Sequence, residues 1–194
     1  MSEAEPPDIP TWDDDYYDDV AKRLMYNYDL ERDYRAGGES FDLYGKLDID
    51  VHKQFLTSAL SYGHQESTEH LFARRESSVS VASLERLVEL GHDLADEWIE
   101  PDERHFGTDF VFVVVAPEIP DEVRSYVSSF SDRTLIKYGY HGQYQLHLVV
   151  VAPEAEDIVQ SKEADVSLAF ALWESLESSK KRGVVGRLRS LFGR

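Results

Sequence analysis

Two runs of the chain, 110–116 and 146–152, are its most apolar, and each leads into the letters Val-Val-Val-Ala-Pro-Glu. A strand without polar alternation is expected where both of its faces are covered, so these runs predict the buried centre of a sheet. Between 41 and 52 the pattern alternates instead. Phe41, Leu43, Leu47, Ile49 and Val51 fall on one side, and Asp42, Tyr44, Lys46, Asp48, Asp50 and His52 on the other, which predicts a half-buried strand. Residues 68–75 predict a short second strand, and 54–66 suit either a short helix or a loop.

Helical spacing accounts for most of the remainder. Tyr17, Val20, Ala21, Leu24 and Tyr28 recur behind three aspartates at 13–15, so a helix is expected from Thr11 to about Arg32, capped by Thr11 and Asp14. Leu84, Leu87, Val88, Gly91, Leu94, Ala95 and Trp98 form a longer stripe, with Ser80 or Ser83 as N-cap and Pro101 beyond its end. Gly91 sits on the apolar side of that stripe, where it costs about 1 kcal/mol relative to alanine, so it predicts the close approach of another element. Pro120 opens a short amphipathic helix carrying Ile119, Val123, Tyr126, Val127 and Phe130. Residues 134–140 and 143–151 flank His141-Gly142, read as a two-residue hairpin turn that sets Ile136 opposite His147. A last helix is expected over 164–179, where apolar residues on more than one side imply deep packing.

The order is therefore α-β-β-α-β-α-β-β-α. It predicts an α+β fold, a mixed, largely antiparallel sheet of about five strands with helices packed against it. Residues 1–10 read as a disordered acidic tail, 11–179 as a single domain, and 180–194 as a basic amphipathic tail. The similar blocks 113–123 and 149–159 record either a duplicated strand–helix unit or chance in a chain rich in valine and acid.

Charge changes this picture most. The 194 residues carry 38 Asp and Glu against 20 Lys and Arg, a net −18, while the hydrophobic fraction of 42% is that of an ordinary globular core. Such self-repulsion must be screened, and the acids are spread over nearly every segment, which favours adaptation to molar salt over one binding patch. With its acidic, tyrosine-rich start, the chain resembles the uncharacterised domain-of-unknown-function proteins common in halophilic archaea. That resemblance implies a salt-rich cytosol and no activity. The absence of cysteine excludes disulfides and thiolate chemistry. The start has no signal-peptide pattern, and the longest apolar runs fall far short of the ~20 residues that span a bilayer, so a cytoplasmic location is expected.

Candidate chemistry centres on His64, Glu66, Glu69 and His70, close in sequence pattern to Asp48, Asp50 and His52. If the two strands lie side by side, His64, Glu66 and His70 could ligate zinc or manganese, although their spacing matches no known ligand motif. Residues two positions before Lys46, Lys53, Lys137 and Lys162 are Tyr44, Val51, Leu135 and Gln160, so the acid-x-lysine pair of metal-dependent nucleases is missing. Phosphate-binding loops, nucleophile elbows and zinc-protease motifs are missing too, and the net charge disfavours nucleic acid. His141 and His147 read as a turn residue and a sheet-packed residue. No cofactor is expected.

The tail departs from the acidic background, with six basic residues and no acid over 180–194. Val184, Val185, Leu188, Leu191 and Phe192 share one helical side, with Arg187 and Arg189 beside it. Such a segment suits a protein partner, the chain's own acidic body or the surface of a membrane. The favoured function is thus a non-enzymatic interaction module, with homo-oligomers compatible. The alternative is a small hydrolase or metal-dependent enzyme using the His52/His64/His70 region.

Overall fold

The Asp14 carboxylate accepts the Tyr16 N–H and caps α1 (Asp15–Leu24), which buries Tyr17, Val20, Ala21 and Leu24. The helix ends well before Arg32, because the N–H groups of Asn27 and Tyr28 turn back onto the Leu24 carbonyl. The chain then enters β1 (Asp29–Ala36), a strand that the helical reading of this region missed. Tyr28 lies four residues after Leu24 and so continues the helical period, but it packs against Gly45, where an added Cβ would lie 3.2 Å from its ring.

This computed structural model describes residues 9–52, 64–100, 105–162, 164 and 166–174, and the backbone alone of 49–52 and 64–66. Gly37 and Gly38, both at positive φ, turn β1 into β2 (Glu39–His52), which pairs antiparallel with β1 and with β3 (His64–Arg75). Ser80 and Ser83 form a reciprocal cap for α2 (Val81–Trp98), which carries the chain to β4 (His105–Val115), parallel to β3. There follow α3 (Asp121–Ser129), β5 (Asp132–Leu135), β6 (Gln143–Ala152), β7 (Asp157–Gln160) and α4 (Ser167–Phe170). The last expected helix is therefore one short turn among the described residues.

The sheet runs β1-β2-β3-β4-β6-β5, with β7 sharing the outer side of β6, so the described residues form seven strands where about five were expected. The two central pairings, β3–β4 and β4–β6, are parallel and the outer ones antiparallel, giving the α+β fold with a mostly antiparallel sheet. Each parallel step needs a long connection, and α2 and α3 lie within these two. Both pack on one side of the sheet over Phe72, Phe110, Phe112, Leu146 and Leu148, while α1 and α4 cover Leu71, Val111, Val113, Val149 and Val151 on the other. Gly91 has the role expected of it. A Cβ there would lie 2.7 Å from Leu146 and 3.0 Å from Phe112.

One side chain departs from the predicted alternation. Phe41 packs with Phe72 beneath α2, whereas Leu43 points to the α1 side; Asp42 lies between them, and Asp33 in the neighbouring strand adopts φ 53°. The repeated letters also have a structural meaning. Val113, Val114 and Val115 pair with Val149, Val150 and Val151, and the Ala116 N–H continues onto the Val151 carbonyl, so the two copies are neighbours in one ladder. Both strands are covered on both sides and end together, which suits the same apolar residues in each.

Arg23 joins the two ends of the described chain. Its guanidinium donates to the carbonyls of Leu168, Ala171, Leu172 and Glu174 at 3.0–3.1 Å, and the Tyr16 hydroxyl donates to that of Phe170.

Candidate functional site

The register sets His52 opposite His64, Asp50 opposite Glu66 and Lys46 opposite His70, so the strands do lie side by side as the metal reading required. Along one extended strand, however, a rise of about 3.3 Å per residue puts His64 and His70 roughly 20 Å apart. Ligands of one zinc ion sit about 2 Å from it, so His64, Glu66 and His70 cannot all surround one ion. His70 is a core residue. Its Nδ1 shares a hydrogen bond of 2.8 Å with the Tyr44 hydroxyl, and its ring lies against Trp98 and Phe110. Burial, with Lys46 adding to it, lowers its pKa to about 4, so it is neutral near pH 7. Among the described residues no three histidines or carboxylates are arranged to hold a metal.

His147 is packed in the sheet, as read from the sequence. Its Nδ1 faces the Lys162 carbonyl at 3.2 Å and its Nε2 lies 3.6 Å from the Asp109 carboxylate. Burial pulls its pKa down, but the Asp109 contact and charge and the Lys162 carbonyl outweigh it, leaving the pKa raised. The tail residues Val184, Val185, Arg187, Leu188, Arg189, Leu191 and Phe192 lie outside the described residues.

The two ends of the β4–β6 ladder differ in what surrounds them. Where the strands stop, Pro117 and Pro153 border a hollow of about 430 Å³ lined also by Asp42, Arg75, Glu76 and Glu154. Its polar groups are largely engaged with the protein itself. Asp42 accepts the Arg75 N–H at 2.7 Å and the Tyr17 hydroxyl at 3.3 Å; the Arg75 guanidinium donates to Asp14 and lies over the rings of Tyr16 and Tyr17. Arg74 bridges Glu39 and Glu76.

Where the strands start, the chain does something else. The expected His141-Gly142 hairpin is replaced by a longer loop: Leu135 pairs with Gln143 and Asp132 with Leu146, and a 3-10 turn at Ile136–Gly139 intervenes. Ile136 is therefore not opposite His147. Lys137 (φ 45°, ψ 54°) and Tyr138 (φ 60°, ψ 23°) are consecutive left-handed residues, a conformation costing about 1–2 kcal/mol for each non-glycine residue. The loop is braced. The Ile136 N–H donates to the Gly142 carbonyl and the Tyr140 N–H to that of Lys137, while His105 donates through Nδ1 to the His141 carbonyl at 2.7 Å and accepts the Thr108 hydroxyl at Nε2. Gly142, at φ 79°, lies so close to β4 that a Cβ would meet the Phe106 carbonyl oxygen at 2.4 Å.

This bracing holds apolar side chains out in solvent. Tyr138 is 95% exposed and Tyr140 85%, with Leu135 at 55% and Phe106 at 45% beside them. The sequence carried a signal for this loop that periodicity does not detect. Residues 133–153 form the longest stretch of the chain without Asp or Glu. Its second half is the buried β6, where acids are not expected, but 133–142 is mostly exposed and still has none, carrying Arg133 and Lys137 instead.

No helix among the described residues is long and apolar enough to cross a membrane. No curated protein and no solved structure matches the chain. A family model described as Domain of unknown function (DUF8052) matches residues 13–172.

Proposed function

The chain belongs to the DUF8052 family, and from that premise we propose that it is a non-enzymatic interaction module that docks on a protein partner through the loop at 135–142. The observation that carries this reading is the pair Tyr138 and Tyr140, held outward on a braced, left-handed backbone. Tyrosine offers a large contact area for little side-chain entropy, and a loop ordered in advance loses less freedom on binding. Local charge narrows the partner. Arg133 and Lys137 stand where the chain carries no acid, so they suit an acidic protein surface with an apolar hollow for the tyrosines. The basic segment 180–194 is a second contact in this reading, made through Leu188, Leu191 and Phe192 when salt screens its arginines.

A photo-crosslinking residue at position 138 of the full chain, irradiated in host cells, should give one dominant protein adduct that Tyr140→Ser diminishes. The same residue at exposed Glu89 serves as control. Identical adducts from both positions, or adducts to lipid alone, would remove the reading. We further propose that the charge of −18 reflects life in molar salt. Screening then shortens the Debye length from ~10 Å at 0.1 M to ~3 Å at 1 M, and the melting temperature should climb with KCl. A flat dependence would dismiss the proposed salt adaptation and leave the loop untouched.

A further inference from the structure

The outer side of β6 is covered by two short strands that do not meet. β5 pairs with 143–146 and β7 with 149–152. Ser161 fills part of the gap, its N–H donating to the Leu148 carbonyl at 2.8 Å and its hydroxyl accepting the Leu148 N–H at 3.0 Å. What is left is a hollow of about 160 Å³, lined among others by Ser131, Asp132, Arg133, Gln145, His147 and Lys162. Pockets for whole small molecules start at about 300 Å³, so this one has room for a single functional group and its water.

We infer that this hollow binds one oxyanion group, a carboxylate or a phosphate, through Arg133 and Lys162. Two cations unpaired among the described residues converge on the hollow. Lys22, Arg32, Lys46, Arg74, Arg75 and Arg124 each hold a carboxylate and Arg23 holds four carbonyls, whereas Arg35, Arg86, Lys137, Arg133 and Lys162 hold no carboxylate among the described residues; of these last five, Arg133 and Lys162 line one hollow. Both are exposed at its mouth. Asp132, which lines the hollow, is engaged with His92 Nε2 at 3.2 Å, and Asp109 is engaged with His147.

The ligand contacts follow from the chemistry of each group. Arg133 presents a planar fork that two oxygens of one carboxylate or phosphate can fill, and Lys162 supplies a point charge. The Gln145 amide pairs in register with Arg133 and adds a neutral donor. Both nitrogens of His147 face acceptors inside the protein, so its ring lends charge when protonated and no hydrogen bond to the ligand. The net negative charge of the chain repels anions at long range, but salt screens that repulsion over a few ångströms and leaves the short contacts in place. The hollow is formed without Tyr138 or Tyr140, although Arg133 also belongs to the proposed docking surface.

Isotope-labelled full-length protein should be titrated, at fixed KCl, with sodium phosphate and separately with an acetylated triglutamate peptide. Saturable shifts at the Arg133 side chain, the Gln145 amide and the Leu146 N–H are expected with one or both probes. The R133Q/K162Q pair should weaken binding by at least about tenfold with the melting temperature unchanged, and R133K should retain part of it. Saturation with phosphate alone identifies a free anion as ligand, and saturation with the peptide alone identifies a protein carboxylate. Shifts that never saturate with either probe, or that survive R133Q/K162Q, would overturn the inference.

Discussion

β4 and β6 are paired in parallel register over 107–115 and 143–151, yet the two ends of this ladder are finished in opposite ways. Where the strands stop, two prolines end them together and arginines from β3 tie neighbouring carboxylates and tyrosine rings into one network. Where they start, a loop without acids holds two tyrosines clear of the surface. The two ends differ in where their hydrogen bonds are directed. At one end polar groups satisfy each other, and at the other the backbone satisfies itself and leaves side chains over. An acidic surface makes that second end conspicuous, because almost every other segment is given over to solvated charge.

The largest expected effect lies near the starting end, where His70 is hidden beneath Trp98. Its folded pKa of about 4 lies below the ordinary 6.5. Between those values the unfolded chain takes up a proton that the native ring refuses, so stability falls as pH drops from 6.5 to 4, by up to about 3 kcal/mol from this group. His147 acts in the other sense. Its raised pKa adds stability at low pH that is lost as pH rises through the folded value. Denaturant titrations at several pH values should show a shallower decline in His70→Gln than in wild type, and equal slopes would contradict the buried neutral ring.

Gly142→Val comes next, at roughly 2–3 kcal/mol, since the new side chain meets the Phe106 carbonyl and sits at an unfavourable φ. Gly139→Ala, whose Cβ would only touch Leu135 at 4.0 Å, should cost about 1 kcal/mol through its positive φ. If both changes were harmless, the starting end would be slack rather than braced. At the other end, Asp42→Ala removes the acceptor for the Arg75 N–H and the Tyr17 hydroxyl and should cost about 2 kcal/mol by chemical denaturation. A negligible loss would undo the contrast from that side. The smallest effect belongs to Tyr138→Ser with Tyr140→Ser, which should leave stability within about 0.5 kcal/mol of wild type, because the rings pack on nothing that folding needs.

Legibility in the sequence followed burial. α2, α3 and the two central strands could be read because one or both of their sides are covered, and apolar spacing records that directly. β1 was hidden from such reading. It lies at the edge of the sheet with most of its residues exposed, so no alternation marks it, and Tyr28 mimics another helical turn. β7 is too short to show a period. The loop escaped for a different reason: its left-handed residues are Lys137 and Tyr138, types that do not announce such a conformation, whereas the glycine at 142 suggested a tighter turn. The candidate histidines were legible as residues but not as surroundings, since the rings around His70 come from β2, α2 and β4.

Arg23 grips carbonyl oxygens, and carbonyls are the same whatever residue bears them. The segment from 168 to 174 can therefore exchange side chains over evolutionary time and keep this anchor, while the anchor itself depends on one guanidinium. It also joins positions 145 to 151 residues apart, a loop closure whose entropy must be met late. While the chain is being synthesised, α1 waits with part of its apolar side uncovered until Phe170 has been made. The first helix in the sequence is thus among the last to be finished in space.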